Sequence, residues 1–420
     1  MIMHLDLDAF FASAERVGNP HLHDIPIAVG GRADPFIFDK NAKSKKVSMK
    51  NSGAFVPTLF HREVSQDFES FFREEEKIRG IVITSSYEAR AFGIRTAMPL
   101  VQALKLCPHL TVCVPNHHLY HDLSHNLRKF LETKIPSLEQ YSIDEFFADV
   151  GGWIEDDAVE EFAQNLKKEI AQKFSLPISI GIAKTKSIAK LSTNAAKPNG
   201  VKLTRAENVS SFIHDIPIEE FPGIGKATQK RLAQYKKRTL GDIEDSKNLL
   251  YSWGNAGKIL YDRVCGLDKE KIEHKRDRKS IGISRTFDPL IDRIEIKRRI
   301  TILARHLIFL VKKLHLNPKT LYVGIRYQYQ SSKKQVSFER LIHEDFLLNE
   351  ALKNFDELDI HPHSAVIRLT ISLTNFQKTP TKYPSLFDYH DDKLSHQLTE
   401  KTQKMREKYG VDIIKRGSEL

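Results

Sequence analysis

The strongest constraint on the fold is a regular change of hydrophobic periodicity between residues 280 and 374. Strand-like and helix-like patterns alternate there. The segments are a strand over Ser280–Phe287, a helical stripe through Ile296, Ile300, Leu303, Leu307 and Leu314, strands at Leu321–Tyr329 and about Gln335–Glu339, a short helix with Leu348, Leu352 and Phe355, and a strand at Val366–Thr374. This β-α-β-β-α-β order is the split-βαβ arrangement, and it predicts a folded α+β domain.

Most of the net positive charge lies in the same region. The chain has 65 Lys and Arg against 54 Asp and Glu, but the segment Lys275–Arg340 alone has 17 basic and five acidic residues. The rest of the chain is close to neutral. A concentrated basic surface favours a polyanionic partner, most often nucleic acid, because basic side chains displace counterions from phosphates. A solvated face without a partner is the alternative.

Composition excludes several classes of protein. A chain of 420 residues with 40% hydrophobic and 28% charged residues can bury ordinary cores, which excludes wholesale disorder and favours about two to four domains. No apolar run is long enough to span a bilayer, and the N-terminus lacks the layout of a signal peptide. Cys107, Cys113 and Cys265 are too few and too scattered for a disulfide framework or a zinc site. We expect a soluble protein in a reducing, intracellular compartment.

The first residues of the chain predict a strand that continues into a helix. Apolar and polar residues alternate over Met3–Asp8, which places Asp6 and Asp8 on one face of the strand. Residues 9–17 are typical of a helix, and Asp8 is a suitable N-cap. The pattern therefore places a carboxylate at the end of an otherwise buried strand.

A second pair of carboxylates, Asp144 and Glu145, lies in a segment that resembles a hairpin over residues 140–150, closed by a Gly-Gly pair. Together with Asp6, these residues are what a two-metal phosphoryl-transfer site requires, because Mg²⁺ prefers a few carboxylate oxygens and completes its shell with phosphates. An isolated acidic doublet is more often solvated surface, as we expect at 356–357.

Two further motifs suggest phosphate binding. Tyr87 and Arg90 follow a predicted strand and can share one helical face, where the arginine fork suits a triphosphate; an ordinary amphipathic helix start is the alternative. The run Phe221–Lys226, with the order Phe-Pro-Gly-Ile-Gly-Lys before a helix, is typical of a helix-hairpin-helix. Its glycines allow backbone N–H groups to approach a DNA phosphate, although a plain glycine turn has the same composition.

Taken together, these motifs resemble the Y-family translesion DNA polymerases, in the bacterial DNA polymerase IV and UmuC-like branches. The matching segments occur in the family's order between residue 1 and about residue 376. They are His4–Ser13, Ser85–Gly93, Ser142–Glu145, Ala196–Gly200, the Pro-Gly-Ile-Gly loop and Lys279–Gly282.

The resemblance implies an active site. Asp6, Asp144 and Glu145 would bind two Mg²⁺ ions, with the backbone carbonyl of Leu7 as a further ligand. Phe11 would be the steric gate that excludes a ribose 2′-OH, and Phe10 would lie near the incoming sugar. The resemblance assigns the triphosphate to Tyr87, Arg90 and Lys197, and it assigns DNA contacts to Gly223, Ile224, Gly225, Lys226, Lys279, Ser280 and Arg285.

The implied fold is an α+β, multidomain right hand. Residues 1–9 and 116–204 would form the palm, and 10–115 the fingers. Residues 205–272 would form a helical thumb containing the helix-hairpin-helix. A linker at 273–279 would lead to a little finger of β-α-β-β-α-β type at 280–376, followed by a C-terminal tail at 377–420 with a peripheral helix.

The chain departs from the family pattern in two places. An insertion of roughly 40 residues lies within about 32–80, on the scale of a small structural unit. Near the C-terminus, Tyr383, Leu386 and Phe387 resemble the peptide by which bacterial polymerases bind the sliding clamp, with Tyr in the usual place of Gln.

We therefore expect an error-prone, template-directed DNA polymerase without proofreading, which uses dNTPs and primer–template DNA, bypasses damage, and acts as a monomer in the bacterial cytoplasm at the nucleoid. A catalytically silent DNA-binding adaptor of the same fold is the first alternative. A two-metal nuclease or a nucleotidyl cyclase on a similar palm is the second.

Overall fold

The computed structural model describes residues 1–32, 37–39, 68–74, 76–274, 277–378 and 389–419. The first of two compact units contains residues 1–31, 68–74 and 76–274, and the second contains 32, 37–39, 277–378 and 389–419. Most of the predicted insertion lies outside the described residues, as does the predicted clamp-binding peptide with Tyr383, Leu386 and Phe387. Within the described ranges, no helix has both the length and the apolar character needed to cross a membrane.

The first unit combines short strands with helices. Its strands are β1 (Ile2–Leu7), β2 (Ile27–Gly31), β3 (Arg73–Glu74), β4 (Lys77–Ile78), β5 (Ile81–Ser85), β6 (Thr111–Cys113), β7 (Leu138–Gln140), β8 (Glu145–Asp149), β9 (Ile178–Ala183) and β10 (Val201–Leu203). Its α-helices are α1 (Phe10–Val17), α2 (Phe68–Phe72), α3 (Tyr87–Ala91), α4 (Leu100–Leu106), α5 (His117–Lys134), α6 (Val159–Phe174), α7 (Lys186–Ala196), α8 (Val209–Ile213), α9 (Lys226–Gln234), α10 (Leu240–Glu244), α11 (Lys247–Ser252) and α12 (Asn255–Val264).

The main sheet of this unit has the strand order β10-β9-β1-β8-β7. The central strand β1 pairs antiparallel with both β8 and β9. Met3, Leu5 and Leu7 point to one face and join a buried cluster with α5 and α6. His4 and Asp6 therefore lie on the opposite face, because side chains alternate along a strand. The predicted alternation is confirmed, and it produces a strand that is covered on both sides.

Two local predictions about this region are wrong. Helix α1 begins at Phe10, and its N-cap is Ala9 in a left-handed conformation (φ 46°) without a capping side chain, so Asp8 does not cap it. The hairpin of β7 and β8 is closed by the connection at 141–144 and not by the glycine pair at 151–152. This shorter connection places Asp144 immediately before β8.

Helix α7 covers the face of the sheet that carries His4, and Gly181 of β9 allows the close approach. Gly181 pairs with His4 across the β1–β9 ladder. A Cβ atom at Gly181 would lie 2.1 Å from the carbonyl oxygen of Ala189 and 2.3 Å from the backbone nitrogen of Thr193, both in α7. Glycine is required here by the helix backbone that lies against the strand.

The substitution Gly181→Ala is expected to lower the free energy of unfolding by about 1–3 kcal/mol, because the added methyl group must displace the backbone of α7. Gly18→Ala is the matched control, since a Cβ atom there meets nothing within 4 Å. Urea denaturation of the two variants tests the prediction. Equal midpoints would contradict the close packing of α7 on β9.

Helices α8 to α12 form a second buried cluster with α7. Phe221, Ile224 and Leu232 from the region of the helix-hairpin-helix pack with Ile188 and Leu191 of α7. The core of this helical region is therefore continuous with the helix that covers the sheet.

The second unit confirms the order predicted from periodicity. Its elements are β11 (Ser280–Leu290), α13 (Arg293–Lys313), β12 (Pro318–Tyr327), β13 (Ser331–Ser337), α14 (Glu344–Leu358), β14 (Val366–Phe376) and α15 (Tyr389–Tyr409). The strands form an antiparallel sheet in the order β11-β14-β12-β13. Strand β13 begins before the predicted Gln335, because it is a largely exposed edge strand with few apolar residues to mark it.

Helix α15 is not the peripheral helix that was predicted. It packs against α13 and α14 and buries Asp392, Thr399, Gln403 and Arg406. The guanidinium of Arg406 donates to Glu344 of α14 at 2.5 Å. Because the buried face of α15 is polar and ion-paired, hydrophobic periodicity could not detect the packing.

A buried ion network connects α13 to the end of the chain. Arg305 donates through Nη1 to Asp412 and through Nε to Glu419, each at 2.8 Å. His306 donates through Nε2 to Asp412 at 3.0 Å. Burial is the main cause that lowers the pKa of His306 to about 4. The imidazole is therefore neutral in the folded protein at neutral pH.

The second unit is expected to lose stability as the pH falls from about 6.5 towards 4. In that window His306 is protonated in the unfolded chain but not in the folded one, so unfolding takes up a proton. The free energy of unfolding should therefore fall by about 1.4 kcal/mol for each pH unit of acidification. Hydrogen exchange of the α13 amides in wild type and His306→Gln tests this. The variant should have the shallower pH dependence, and identical slopes would contradict the assignment.

Candidate active site

Two of the three predicted metal-binding carboxylates are cross-strand partners. Asp6 of β1 pairs directly with Glu145 of β8. Asp144 precedes β8, and its backbone carbonyl accepts a hydrogen bond from the N–H of Leu7 at 3.0 Å. Leu7 is the last residue of β1. The structure thus places all four predicted ligands at one end of two adjacent strands.

The carboxylates have different electrostatic surroundings. Burial, and next to it the negative charge of Asp6, raises the pKa of Asp144 to about 6. Burial acts in the same direction on Glu145, but the hydrogen bond from His4 and the charge of Lys190 outweigh it and hold the pKa of Glu145 at about 2. The negative charge of Asp144 is therefore disfavoured by burial and by Asp6, whereas that of Glu145 is stabilised by His4 and Lys190.

Basic residues of α7 and the following loop contact these carboxylates. Lys197 Nζ lies 2.6 Å from Asp6 Oδ1, and Lys190 forms an ion pair with Glu145 Oε1. Lys186, one turn before Lys190, pairs with buried Glu139 at 2.8 Å. The spacing of Lys186 and Lys190 keeps them on one face of α7, and Lys197 follows directly after the helix, so basic side chains run alongside the acidic end of the sheet.

His4, a residue without a predicted role, also contacts Glu145. Its Nε2 lies 2.5 Å from Glu145 Oε1. Ligand atoms of His4, Asp6 and Glu145 all lie within 4.8 Å of one another. Both ring nitrogens of His4 have side-chain partners, so the two carboxylates are the candidate metal-binding groups of this cluster.

The predicted triphosphate residues begin the short helix α3. Ser86 caps this helix by accepting from the N–H of Ala89. The Arg90 guanidinium lies over the Tyr87 ring, 4.6 Å from its centroid, and the Tyr87 hydroxyl donates to Asp8 at 3.3 Å. Burial, and then the charge of Asp8, raises the pKa of Tyr87 to about 12, so its hydroxyl stays protonated.

Asp8 connects this helix to the main sheet. Its carboxylate also accepts from the hydroxyl of Ser179, at 2.9 and 3.0 Å, and from the backbone N–H of Asn199, at 2.7 Å. Tyr87 is therefore linked through one buried carboxylate to strand β9 and to the loop that carries Lys197.

Phe10 and Phe11 begin α1 directly after β1. The Phe11 ring stacks on Tyr120 of α5, with centroids 4.5 Å apart and an interplanar angle of 21°. The Tyr120 hydroxyl donates to Glu15, which anchors the ring beneath Phe11. Phe10 is 2% exposed and Phe11 is 9% exposed. The predicted gate residue is thus held by an aromatic partner that the sequence did not reveal.

The predicted helix-hairpin-helix forms a tight loop before α9. Gly223 has a φ of 104°, which favours glycine. Gly223, Gly225 and Lys226 are exposed. Ile224 differs from the prediction, because its side chain is buried and its N–H donates to the carbonyl of Phe221. Ile224 holds the loop together, and its three neighbours remain available to a phosphate.

The predicted DNA contacts of the second unit divide between two faces. Lys279 and Ser280 are exposed at the start of β11. Arg285 is only 7% exposed and shares the inward face of β11 with Ile281 and Ile283. Its position five residues after Ser280 puts it on the opposite side of the strand. Arg285 therefore does not share the exposed face of Ser280, and its assignment as a DNA contact stays a prediction.

Much of the basic excess is neutralised within the second unit. Acidic residues at 356–419, beyond the basic segment, supply many of the partners. The pairs are Arg293–Asp359, Lys297–Asp356, Arg298–Glu295, Arg299–Glu295, Arg305–Asp412, Arg305–Glu419, Lys312–Glu400, Lys319–Glu339, Lys334–Glu357 and Arg340–Asp392. The local charge count therefore overstates the positive charge that this unit has available to bind a polyanion.

Carboxylates on adjacent strands, lysines beside them and a helix-hairpin-helix in the same unit are the features expected of metal-dependent nucleotidyltransferases that act on DNA. The comparisons with known proteins agree. The impB/mucB/samB family model matches residues 5–194, its C-terminal domain matches 278–386, and the helix-hairpin-helix motif of the same family matches 206–236. The chain belongs to this family, the Y-family DNA polymerases, and is similar to DNA polymerase IV.

Curated relatives and solved structures support the assignment. DNA polymerase IV of Shigella flexneri and that of Escherichia coli strain K12 are each 32% identical over 289 residues, which is 68% of this chain and 70% of theirs. A Y-family polymerase chimera of Dbh and Dpo4 has a TM-score of 0.72 at 24% identity, and DinB from Sulfolobus solfataricus has 0.53 at 23%; each comparison covers 89% of this chain and 98% of the other. The fold is the multidomain right-hand polymerase fold, and divalent-metal dependence is general in the family.

Proposed function

We propose that this protein is a template-directed translesion DNA polymerase that adds dNMPs to a primer 3′-OH with release of pyrophosphate, with low fidelity and without proofreading. The observation that carries the proposal is the direct pairing of Asp6 with Glu145 beside Asp144, in a chain of this family. A silent adaptor would have no need to hold three carboxylates so close together.

The residues present fit a divalent-metal site. Asp6, Asp144, Glu145 and the carbonyl of Leu7 offer oxygen donors, which Mg²⁺ prefers. The raised pKa of Asp144, caused by burial and by the charge of Asp6, is what we expect of carboxylates that receive additional positive charge. When bound, two Mg²⁺ ions supply charge neutralisation on the phosphates and orientation of the reacting oxygens.

The chain's own cations are arranged to receive the nucleotide. Lys197 reaches the acidic end of the sheet, and we assign it to the triphosphate once the carboxylates have other partners. Arg90 offers a guanidinium fork whose orientation is fixed by its stacking on Tyr87. Phe11 closes the sugar side, and its support from Tyr120 keeps its ring in place.

DNA binding is assigned to backbone and phosphate contacts. Gly223, Gly225 and Lys226 of the exposed loop, and Lys279 with Ser280 at the start of β11, are the proposed contacts. Such contacts carry no base information, so binding should be independent of sequence and should weaken steeply with salt.

Primer extension with Mg²⁺ tests the function. On undamaged and abasic templates the purified protein should lengthen the primer by template-directed incorporation. A nuclease would shorten the primer in the same assay, and an adaptor would bind the DNA and leave it unchanged. Either result would overturn the proposal.

Three finer points belong to the same proposal. We assign sliding-clamp binding to the peptide with Tyr383, Leu386 and Phe387, on its resemblance to the clamp-binding motif. We also propose that the protein acts as a monomer. Because its proposed substrate is DNA, we propose that it works at the nucleoid in the cytoplasm. Loss of clamp-stimulated extension in Leu386→Ala, with basal extension unchanged, is the expected result for the peptide.

A further inference from the structure

His4 is buried and makes side-chain contacts on both sides of its ring. It is 0% exposed, although it lies beside a site that must admit a nucleotide. Nε2 lies 2.5 Å from Glu145 Oε1, and Nδ1 lies 2.8 Å from Thr193 Oγ1. The ring packs on Phe147, with centroids 4.5 Å apart. These contacts come from two elements, β8 on one side and α7 on the other, so the ring has little freedom to rotate.

The contacts define which nitrogen carries the hydrogen. A carboxylate only accepts, so Nε2–H donates to Glu145. Nδ1 then accepts, and its donor is the hydroxyl of Thr193. That hydroxyl is nearer to Nδ1 than to the backbone carbonyls of His4 and Ala189, which are both 3.1 Å away. Thr193 therefore holds the imidazole in the orientation that Glu145 requires.

Glu145 has a second cationic neighbour that differs from His4 in mobility. Lys190 also contacts Oε1, but its side chain is 23% exposed and flexible. It can withdraw when another cation arrives, whereas the imidazole is enclosed. Among the described residues, both contacts fall on the same oxygen, Oε1, which leaves Oε2 for a further ligand.

We propose that His4 is a positioning residue for the metal site: its Nε2–H holds Oε1 of Glu145 so that Oε2 faces a divalent ion, and Thr193 fixes the imidazole. The inference rests on the proposed function, because it assumes that Glu145 is a metal ligand. Partners of this kind, which orient a ligand without touching the ion, typically change metal affinity by about 10–100-fold when removed.

The test measures Mn²⁺ binding without turnover. The full-length protein is assembled with a primer ending in a 3′-dideoxynucleotide, its template and the matching dNTP, and free Mn²⁺ is followed by electron paramagnetic resonance. His4→Ala should raise the Kd for Mn²⁺ by about 10–100-fold. His4→Gln should recover part of the Mn²⁺ affinity, because the amide N–H of glutamine can donate to Glu145. Thr193→Val should also lower the Mn²⁺ affinity, because it keeps His4 but removes the hydroxyl that orients the imidazole.

The matched control is Ser192→Ala. Ser192 is as buried in α7 as Thr193, but its hydroxyl contacts Ile188 and Thr204, away from the carboxylates. The Ser192→Ala variant should therefore bind Mn²⁺ with the Kd of wild type. In extension assays the Mg²⁺ concentration at half-maximal rate should rise in the His4 variants, while the KM for dNTP at saturating Mg²⁺ changes by less than about threefold.

Three results would each overturn a distinct part of this proposal. If His4→Gln and Thr193→Val both bind Mn²⁺ like wild type, the positioning role is wrong, and this holds even where His4→Ala fails to fold. If Thr193→Val and Ser192→Ala weaken binding equally, the effect belongs to the packing of α7. If wild type and Asp6→Ala bind Mn²⁺ equally, the proposed metal site fails, and this inference with it.

Discussion

The double variant Asp144→Ala, Glu145→Ala is expected to lose primer extension by at least about 1,000-fold. The metal ions that these carboxylates would hold supply several kcal/mol of transition-state charge stabilisation, and about 1.4 kcal/mol corresponds to a tenfold change in rate. Removal of both residues leaves Asp6 as the remaining carboxylate of the proposed ligand set. Single-nucleotide incorporation at saturating Mg²⁺ and dNTP measures the loss.

The loss of activity must be separated from a loss of stability. The raised pKa of Asp144 means that its removal should not weaken the fold, but removal of Glu145 takes a partner from buried His4 and from Lys190. The urea denaturation midpoint of the double variant is therefore measured beside its activity. The matched control is Asp356→Ala, Glu357→Ala, a doublet on α14 whose side chains are 55% and 45% exposed. It should extend primers like wild type. Equal activity of the 144/145 variant and this control would overturn the catalytic assignment.

The second large effect concerns sugar selectivity. Phe11→Val should lower the ratio of kcat/KM for dNTP over rNTP by about 10–200-fold, the range expected when a pocket loses the bulk that excludes one small group. Valine is preferred to alanine because Phe→Ala at a buried position costs about 3–5 kcal/mol, and valine retains more of the side-chain volume and so leaves a smaller cavity. Competition between dCTP and CTP opposite a template dG measures the ratio.

The control for this prediction uses the ring beneath the gate. Tyr120→Phe keeps the stacking on Phe11 and removes only the hydroxyl that donates to Glu15. Its sugar selectivity should remain that of wild type. If Phe11→Val leaves the selectivity unchanged, Phe11 is not the gate.

The order of elements in the second unit was predictable because its strands and helices each bury one regular face. β11 alternates between buried and exposed residues, and α13 buries an apolar stripe through Ile296, Ile300 and Leu303. The packing of α15 was not predictable, because it depends on ion pairs such as Arg406–Glu344 between residues far apart in the chain.

The same distinction applies to the candidate site. Asp6, Asp144 and Glu145 could be found from short motifs, since each lies at the end of a strand with a recognisable pattern. His4 and Lys190 could not, because their role depends on α7 lying across β1. The only signal was the spacing of Lys186, Lys190, Thr193 and Lys197, which follows one face of a helix.

Charge was the least reliable guide to individual contacts. A local count cannot tell which basic residues meet acids from another segment. Arg340 pairs with Asp392, and Arg305 pairs with Asp412 and Glu419. Arg285 also shows that strand register, and not charge, decides whether an arginine can face a partner.

The central place of β1 has a consequence for synthesis on the ribosome. Its partners β8 and β9 both lie far downstream, so a nascent chain carries an apolar strand with two unpaired edges until they emerge. At about 5–20 residues per second, this interval is on the order of ten seconds or more. The proposed active site would be complete only after Lys197 has left the ribosome, so chains that stall earlier carry the aggregation-prone strand and lack the site.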